Sequence, residues 1–228
     1  MTNEDAYKKA AGYAAVDRFV ENGTCVGLGT GTTAHWAIER VGERVAAGEE
    51  IVAVATSLGT EALCRERNIP LVGLMEREIA VAIDGADEVS PAFALTKGGG
   101  GACFREKAVA LEADRYVVIV TDNKLVPYLG AFPTPVEVVP FSAAYVTAQI
   151  DRLGPQRIVR RGGDTPYVTD NGNWILDCRF GRILDPATLD RRIRAIHGVV
   201  GCGLFVGITD NVIVAGTEGV RELTLAEK

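Results

Sequence analysis

Apolar residues recur along the first 125 positions in two rhythms. Short β-branched runs at Thr24–Leu28, Ile51–Ala55, Leu71–Leu74, Ile79–Ile83 and Tyr116–Val120 have the length and composition of buried strands. Between them the apolar residues return every three or four positions. Tyr13, Val16 and Val20 form one such face, and Ala34, Ala37, Ile38, Val41 and Val45 another, with a third helix expected over Ser57–Asn68. Thr2, followed three residues on by Asp5, reads as the cap of the first helix, and Asn22-Gly23 as its stop. Alternating units of this length predict an α/β fold, a Rossmann-like and mostly parallel sheet with helices on both faces. Loops that follow the strands should then gather along one sheet edge, where open α/β sheets place their ligands.

The rhythm changes near Pro127. Four prolines between Pro127 and Pro140 predict a crossover or boundary rather than a central strand. Beyond them come a helix over Ser142–Leu153, a strand at Arg157–Arg160 and a hairpin through Asp170-Asn171-Gly172-Asn173. A helix opens at Asp185-Pro186, with Leu189, Ile193 and Ile196 on one face, and a strand follows at Val199–Phe205. This βαββαβ-like order predicts a small α+β, ferredoxin-like insert. Residues 131–206 are assigned to it, and residues 1–130 with 207–228 to the α/β catalytic domain. Asn211–Ala215 reads as a last strand returning to the main sheet. Arg160-Arg161 reads as a solvated basic pair.

Composition narrows the partners. The 228 residues are 47% hydrophobic, enough for one large domain with a smaller insert. Formal net charge is −6, with both signs interspersed and no basic run, which argues against a nucleic-acid surface. No apolar stretch approaches the ~20 residues needed to span a bilayer. The N-terminus is charged and lacks the apolar region of a leader, so a cytoplasmic protein is expected. Cys25, Cys64, Cys103, Cys178 and Cys202 are odd in number and show no C-x-x-C spacing, as expected of reduced thiols acting as small buried hydrophobes. Cys103 has no histidine near it in sequence to activate it as a nucleophile.

Two stretches carry candidate chemistry. After the strand at Thr24–Leu28 the chain reads Gly29-Thr30-Gly31-Thr32-Thr33 and enters a helix, the arrangement that lets amides and hydroxyls converge on an anion. No lysine follows the glycines as in a P-loop, and the third glycine of a dinucleotide fingerprint would fall at Thr32, so a phosphate monoester fits better. The second stretch runs from Val81 to Lys107. Asp84 and Asp87 emerge at a strand end, around Gly85 and Ala86, and Lys97 precedes the run Gly98–Gly101. Glu106 follows about one turn into the next helix. A glycine run can turn backbone N–H groups onto an anion. Carboxylates, an ammonium and such amides in one stretch point to proton-transfer chemistry. Asp84, Asp87 and Glu88 could also compose a divalent metal site, but no further ligand cluster appears and both histidines are isolated, so no metal is assigned.

Taken in order, these motifs resemble ribose-5-phosphate isomerase of type A. The likeness rests on Gly29-Thr30-Gly31-Thr32-Thr33, Asp84-Gly-Ala-Asp87-Glu88, Lys97-Gly-Gly-Gly, Arg105-Glu106-Lys107 and Lys124, and extends through Phe132-Pro-x-Pro-Val-Glu-Val and Asp170-Asn-Gly-Asn. It implies interconversion of D-ribose 5-phosphate and D-ribulose 5-phosphate through an enediolate, without a cofactor. By the same likeness Thr30, Gly31, Thr32 and Thr33 hold the phosphate and Glu106 carries the proton. Asp84, Gly85, Ala86, Asp87, Lys97, Gly98, Gly99, Gly100 and Lys124 contact the sugar phosphate. Lys8, in Tyr-Lys-Lys-Ala, is also implied by the likeness. A homodimer or tetramer is implied, with the smaller domain contributing to subunit contacts. Gly101 stands where many members have alanine, which predicts a looser helix start. Two other classes compete: an amino-sugar-phosphate deaminase or lactonase, which should place a histidine near the carboxylates, and a sugar-phosphate sensor, which would need a DNA-reading segment.

Overall fold

A computed structural model describes residues 2–225. The chain divides into two compact units, one of residues 1–86, 105–124 and 208–228, the other of residues 87–104 and 125–207.

In the first unit α1 (Asn3–Phe19) opens on a capping box. Thr2 Oγ1 accepts the Asp5 N–H at 3.1 Å, and Asp5 Oδ2 accepts the Thr2 N–H at 3.2 Å. Then come β1 (Cys25–Leu28), α2 (Ala34–Ala46), β2 (Val52–Ala55), α3 (Leu58–Glu66) and β3 (Ile79–Gly85). The short strands β4 (Glu88–Val89) and β5 (Leu95–Thr96) belong to the second unit, and α4 (Cys103–Glu112) leads back to β6 (Tyr116–Thr121).

The sheet closes with β12 (Asn211–Gly216) and β13 (Gly219–Thr224), in the order β13-β12-β6-β3-β1-β2. All neighbours are parallel except β12 and β13. From β1 the chain first winds outward to β2, then crosses to β3 on the other side of β1. That reversal is the topological switch point of a doubly wound sheet, and it opens a crevice at the carboxyl ends of β1 and β3. Residue parity then sorts the faces. Val26, Leu28, Val81, Ile83, Val117, Ile119 and Ile213 share one core with α1 and α2. Gly27 and Ala82 face the other way, where a Cβ on Gly27 would lie 2.5 Å from Val109 of α4.

Three expectations need correction here. Leu71–Leu74 forms no strand: only Leu71 bridges to Ala53, after which Glu76 Oε2 accepts the Gly73 N–H and turns the chain. Asn211–Ala215 is not the last strand, because Gly219 (φ +93°) lets β13 fold back on β12 as an antiparallel edge. The proline-rich segment is not merely a crossover.

In the second unit β7 (Thr134–Val138) occupies an interior place. The strands β8 (Arg157–Arg160), β9 (Trp174–Arg179) and β10 (Val199–Cys202) join it in the antiparallel order β10-β7-β9-β8. Pro135 fits because its carbonyl, and so its missing N–H, faces the side where pairing with β10 has ended at Cys202; there Gly203 N–H reaches Pro135 O at 2.8 Å. With α5 (Ala143–Asp151) and α6 (Pro186–Arg194) the order is βαββαβ. Val136, Val138, Leu176, Cys178 and Cys202 pack with Val146, Ile150 and Ile193. The strand expected over Val199–Phe205 breaks at Gly203, where a Cβ would lie 2.3 Å from Lys97 O. The chain resumes as β11 (Leu204–Phe205) in a small sheet with β5 and β4.

Candidate active site

The switch-point crevice is filled by the loop after β1. Gly29 has no Cβ because one would lie 2.1 Å from Asp84 Cγ; that close approach lets Asp84 Oδ1 accept both the Thr30 N–H (3.1 Å) and the Gly85 N–H (2.7 Å). Asp84 is 2% exposed. Thr30 turns its hydroxyl toward the loop after β2. Its Oγ1 donates to Ser57 Oγ at 2.8 Å and lies 2.7 Å from Thr56 Oγ1 and 3.2 Å from Thr60 Oγ1. Ser57 also caps α3 by accepting the Thr60 N–H at 3.0 Å. Thr33 stands at the N-cap of α2 without a side-chain cap bond. Thr30, Gly31, His35, Ser57 and Thr60 line a cleft of about 230 Å³. Two helix N-termini and a set of hydroxyls there favour a phosphate. Thr56, Ser57 and Thr60 were not singled out from sequence; the Ser57-x-x-Thr60 spacing shows a helix cap but not its neighbour 27 residues away.

Topology brings Glu106 and Lys124 to the same edge. β6 lies beside β3 and parallel to it, so the turn Asp122–Lys124 follows β6 at the edge that Asp84 occupies. The helix of a right-handed β–α–β crossover begins at that edge, which places Glu106, in the first turn of α4 and buried, there too. Lys8 on α1 pairs with Glu4 at 2.8 Å. The Glu4 carboxyl is held below its ordinary range by the hydrogen bond and charge of Lys8, with a smaller contribution from Lys124, so both ammonium groups share one neighbourhood.

The second unit carries Asp87, Lys97 and the glycine run. Asp87 Oδ2 accepts the Gly99 N–H at 2.9 Å. Lys97 is buried, its N–H bonded to Gly203 O and its Nζ 5.5 Å from the Phe205 ring centre. Glu88 belongs to the scaffold: Oε2 accepts Thr96 Oγ1 and the Gly130 N–H, and Oε1 accepts the Phe132 N–H. No group of three or more His, Cys, Asp and Glu able to hold a metal occurs among the described residues. All five cysteines are buried thiols.

Two readings of this region change. Arg161 is not a solvated charge. Its guanidinium forks onto Asp177 (Nε–Oδ2 2.9 Å, Nη2–Oδ1 2.6 Å) and donates from Nη1 to Gly98 O and Gly99 O. Burial opposes its charge, but the bonds and charge of Asp177 outweigh burial and raise its pKa. Gly101, at φ +82°, does not loosen the helix start. A Cβ there would lie 2.3 Å from the Tyr167 hydroxyl, which donates to Gly100 O, so tyrosine fills the space.

Comparison with known proteins identifies the family. The sequence profile of the ribose 5-phosphate isomerase A (phosphoriboisomerase A) family matches residues 52–219. Ribose-5-phosphate isomerase A of Methanothermobacter thermautotrophicus is 45% identical over 95% of this chain and 96% of its own length. That of Bradyrhizobium diazoefficiens is 43% identical over 96% and 95%. Among solved structures, ribose 5-phosphate isomerase A from Methanocaldococcus jannaschii superposes with a TM-score of 0.93 at 38% identity, covering 97% of this chain and all of that one. A D-ribose-5-phosphate isomerase in complex with phospho-erythronic acid gives a TM-score of 0.94 at 38% identity, covering 98% of this chain and all of that one. The chain belongs to the ribose 5-phosphate isomerase A family.

Proposed function

We propose that the chain interconverts D-ribose 5-phosphate and D-ribulose 5-phosphate, with Glu106 as the proton carrier. The observation that carries this reading is the switch-point crevice, where Asp84 grips the Thr30 loop at the sheet edge from which α4 and Glu106 start. The 5-phosphate sits on Thr30–Thr33 and the Ser57 and Thr60 hydroxyls, with Lys124 supplying positive charge. With the sugar ring open, a Glu106 carboxylate oxygen takes the C2 proton, and the C2–H electron pair becomes the C1–C2 double bond of a cis-enediolate. The same carboxyl returns the proton to C1, while a proton moves from O2 to O1.

The enediolate's negative oxygen needs donors placed beforehand. Lys97 and Gly98–Gly100 are assigned that task, and Asp84 and Asp87, with Gly85 and Ala86, the sugar hydroxyls and ring opening. Phospho-erythronic acid, bound by one relative, joins a phosphate to a carboxylate whose two oxygens resemble those of the enediolate. It should inhibit this enzyme competitively. In this reading residues 131–206 also supply subunit contacts in a homodimer or tetramer, and the protein is cytoplasmic.

Glu106→Gln tests the assignment, since it keeps size and hydrogen bonding but removes the base. In an assay that follows ribulose 5-phosphate, kcat should fall roughly 10²–10⁴-fold, the usual contribution of general-base transfer, with KM little changed. In D₂O the wild type should place deuterium on C1 of the ketose. A near-normal kcat in Glu106→Gln would transfer the role to Asp84 or Asp87.

A further inference from the structure

Gly98–Gly101 has no side chains, so its shape is set by what its peptide groups bond to. Its carbonyls are taken from one side. Gly98 O accepts from Arg161 Nη1 at 3.0 Å and from the Gly101 N–H at 3.0 Å, Gly99 O from Arg161 Nη1 at 3.1 Å, and Gly100 O from the Tyr167 hydroxyl at 3.3 Å. Arg161 is itself fixed. Its Nε and Nη2 meet both oxygens of Asp177 in a planar fork, which leaves Nη1 aimed at the turn. Asp177 lies within β9, paired on either side with Pro135 and Val159, so the anchor is part of a sheet.

In a trans peptide the C=O and N–H point in opposite directions. Drawing Gly98 O and Gly99 O toward Arg161 therefore sends the N–H groups of Gly99 and Gly100 to the far side. Gly99 N–H meets Asp87 Oδ2 there at 2.9 Å. Gly100 N–H is presented on the side of that carboxylate. A Cβ on Gly99 would lie 2.8 Å from Asp87 Oδ1, so the approach is close enough to require glycine.

We infer that Arg161, held by Asp177, is a positioning residue for the isomerisation: it turns the Gly98–Gly100 peptides so that Gly100 N–H donates to a substrate oxygen and Asp87 is fixed beside it. The inference rests on the proposed function and adds to it the residues that set the donor geometry. Lysine cannot replace this arginine, because one ammonium cannot fork onto Asp177 and bridge two carbonyls at once.

The test compares Arg161→Ala, Arg161→Lys and Asp177→Asn with the wild type in steady-state turnover of ribose 5-phosphate, alongside amide spectra of ¹⁵N-glycine-labelled protein. Misplacing a preorganised donor by about 1 Å costs on the order of 10²-fold. A fall in kcat of roughly 10- to 100-fold is expected, with KM within about threefold because the phosphate contacts are untouched. Millimolar guanidinium should restore part of the Arg161→Ala loss, and the Gly99 and Gly100 amide resonances should shift in all three variants. A kcat within twofold of wild type, a loss confined to KM, or a kcat loss that guanidinium does not relieve would overturn the role. Should Arg161→Ala not fold, Arg161→Lys decides: an intermediate kcat with shifted glycine resonances supports positioning, and wild-type values overturn it. If the wild type itself fails to turn over ribose 5-phosphate, the functional reading falls, while the glycine resonances still judge the bracing by themselves.

Discussion

At the scale of single residues, the carboxylates of Asp84, Asp87 and Glu88 differ by what their oxygens already hold. Asp84 Oδ1 is fixed by two amides, Asp87 Oδ2 by one, and both oxygens of Glu88 are spent on Thr96, Gly130 and Phe132. Both oxygens of Glu88 are committed to the scaffold, so it would have to give up bonds to serve as a third cation ligand. Dialysis against a chelator should therefore leave turnover intact; loss on chelation, restored by Mg²⁺ or Mn²⁺, would return the cluster to metal chemistry. Gly29 tests how finely Asp84 is aimed. In Gly29→Ala the new methyl collides with the Asp84 carboxylate, so that side chain must move. A shift near 1 Å should lower kcat by on the order of 10²-fold. Steady-state kinetics on the purified variant would show it, and unchanged kcat would mean that Asp84 need not hold this orientation.

At the scale of elements, α3 begins at the cleft to which the substrate phosphate is assigned. Ser57 closes the helix N-terminus through the Thr60 N–H, and the same oxygen accepts from Thr30. One substitution should then act twice. Ser57→Ala removes a cap worth about 1 kcal/mol, which for a chain of this size lowers Tm by about 2–4 °C. It also removes a hydroxyl beside a dianion, and a hydrogen bond to a charged group is worth about 1.5–3 kcal/mol, so KM should rise at least roughly tenfold. Calorimetry and kinetics separate the two: a lowered Tm with unchanged KM would leave Ser57 as a cap alone.

Across the whole molecule, the alkaline limit of stability follows from buried neutral groups. Burial pushes the Cys64 thiol up to about 12, and burial followed by the hydrogen bond to Glu43 pushes the Tyr13 phenol up to about 12. Burial raises the thiols of Cys25 and Cys178 as well. Each folded pKa lies above its unfolded value of 9.0 or 10.0. Unfolded chains therefore release these protons first as pH rises, and the stabilisation, full below pH ~9, is lost toward pH ~12. Thermal melts should show Tm falling between about pH 9 and pH 12. Cys64→Ala should melt lower at pH 7 through lost packing, yet with a shallower alkaline decline. A slope identical to wild type would remove Cys64 from this account.

What the sequence determined by itself is local. Strand parity, helix spacing, the Thr2–Asp5 box and the Gly/Thr, Asp-Gly-Ala-Asp and Lys-Gly-Gly-Gly runs all act within a few residues, so their imprint is continuous along the chain. The α/β class and the family were legible from that imprint. Tertiary structure decided which distant segments meet. Only the crossing from β2 back past β1 to β3 places Asp84 against Thr30, 54 residues away. Only pairing that ends at Cys202 lets Pro135 sit in an interior strand. The hydroxyls of Thr56, Ser57 and Thr60 join Thr30 across 26 to 30 residues, and Arg161 reaches Gly98 across 63. Such contacts leave no periodicity or spacing behind, because a hydrogen bond depends on where two groups come to lie, and that position is set by the packing of everything between them.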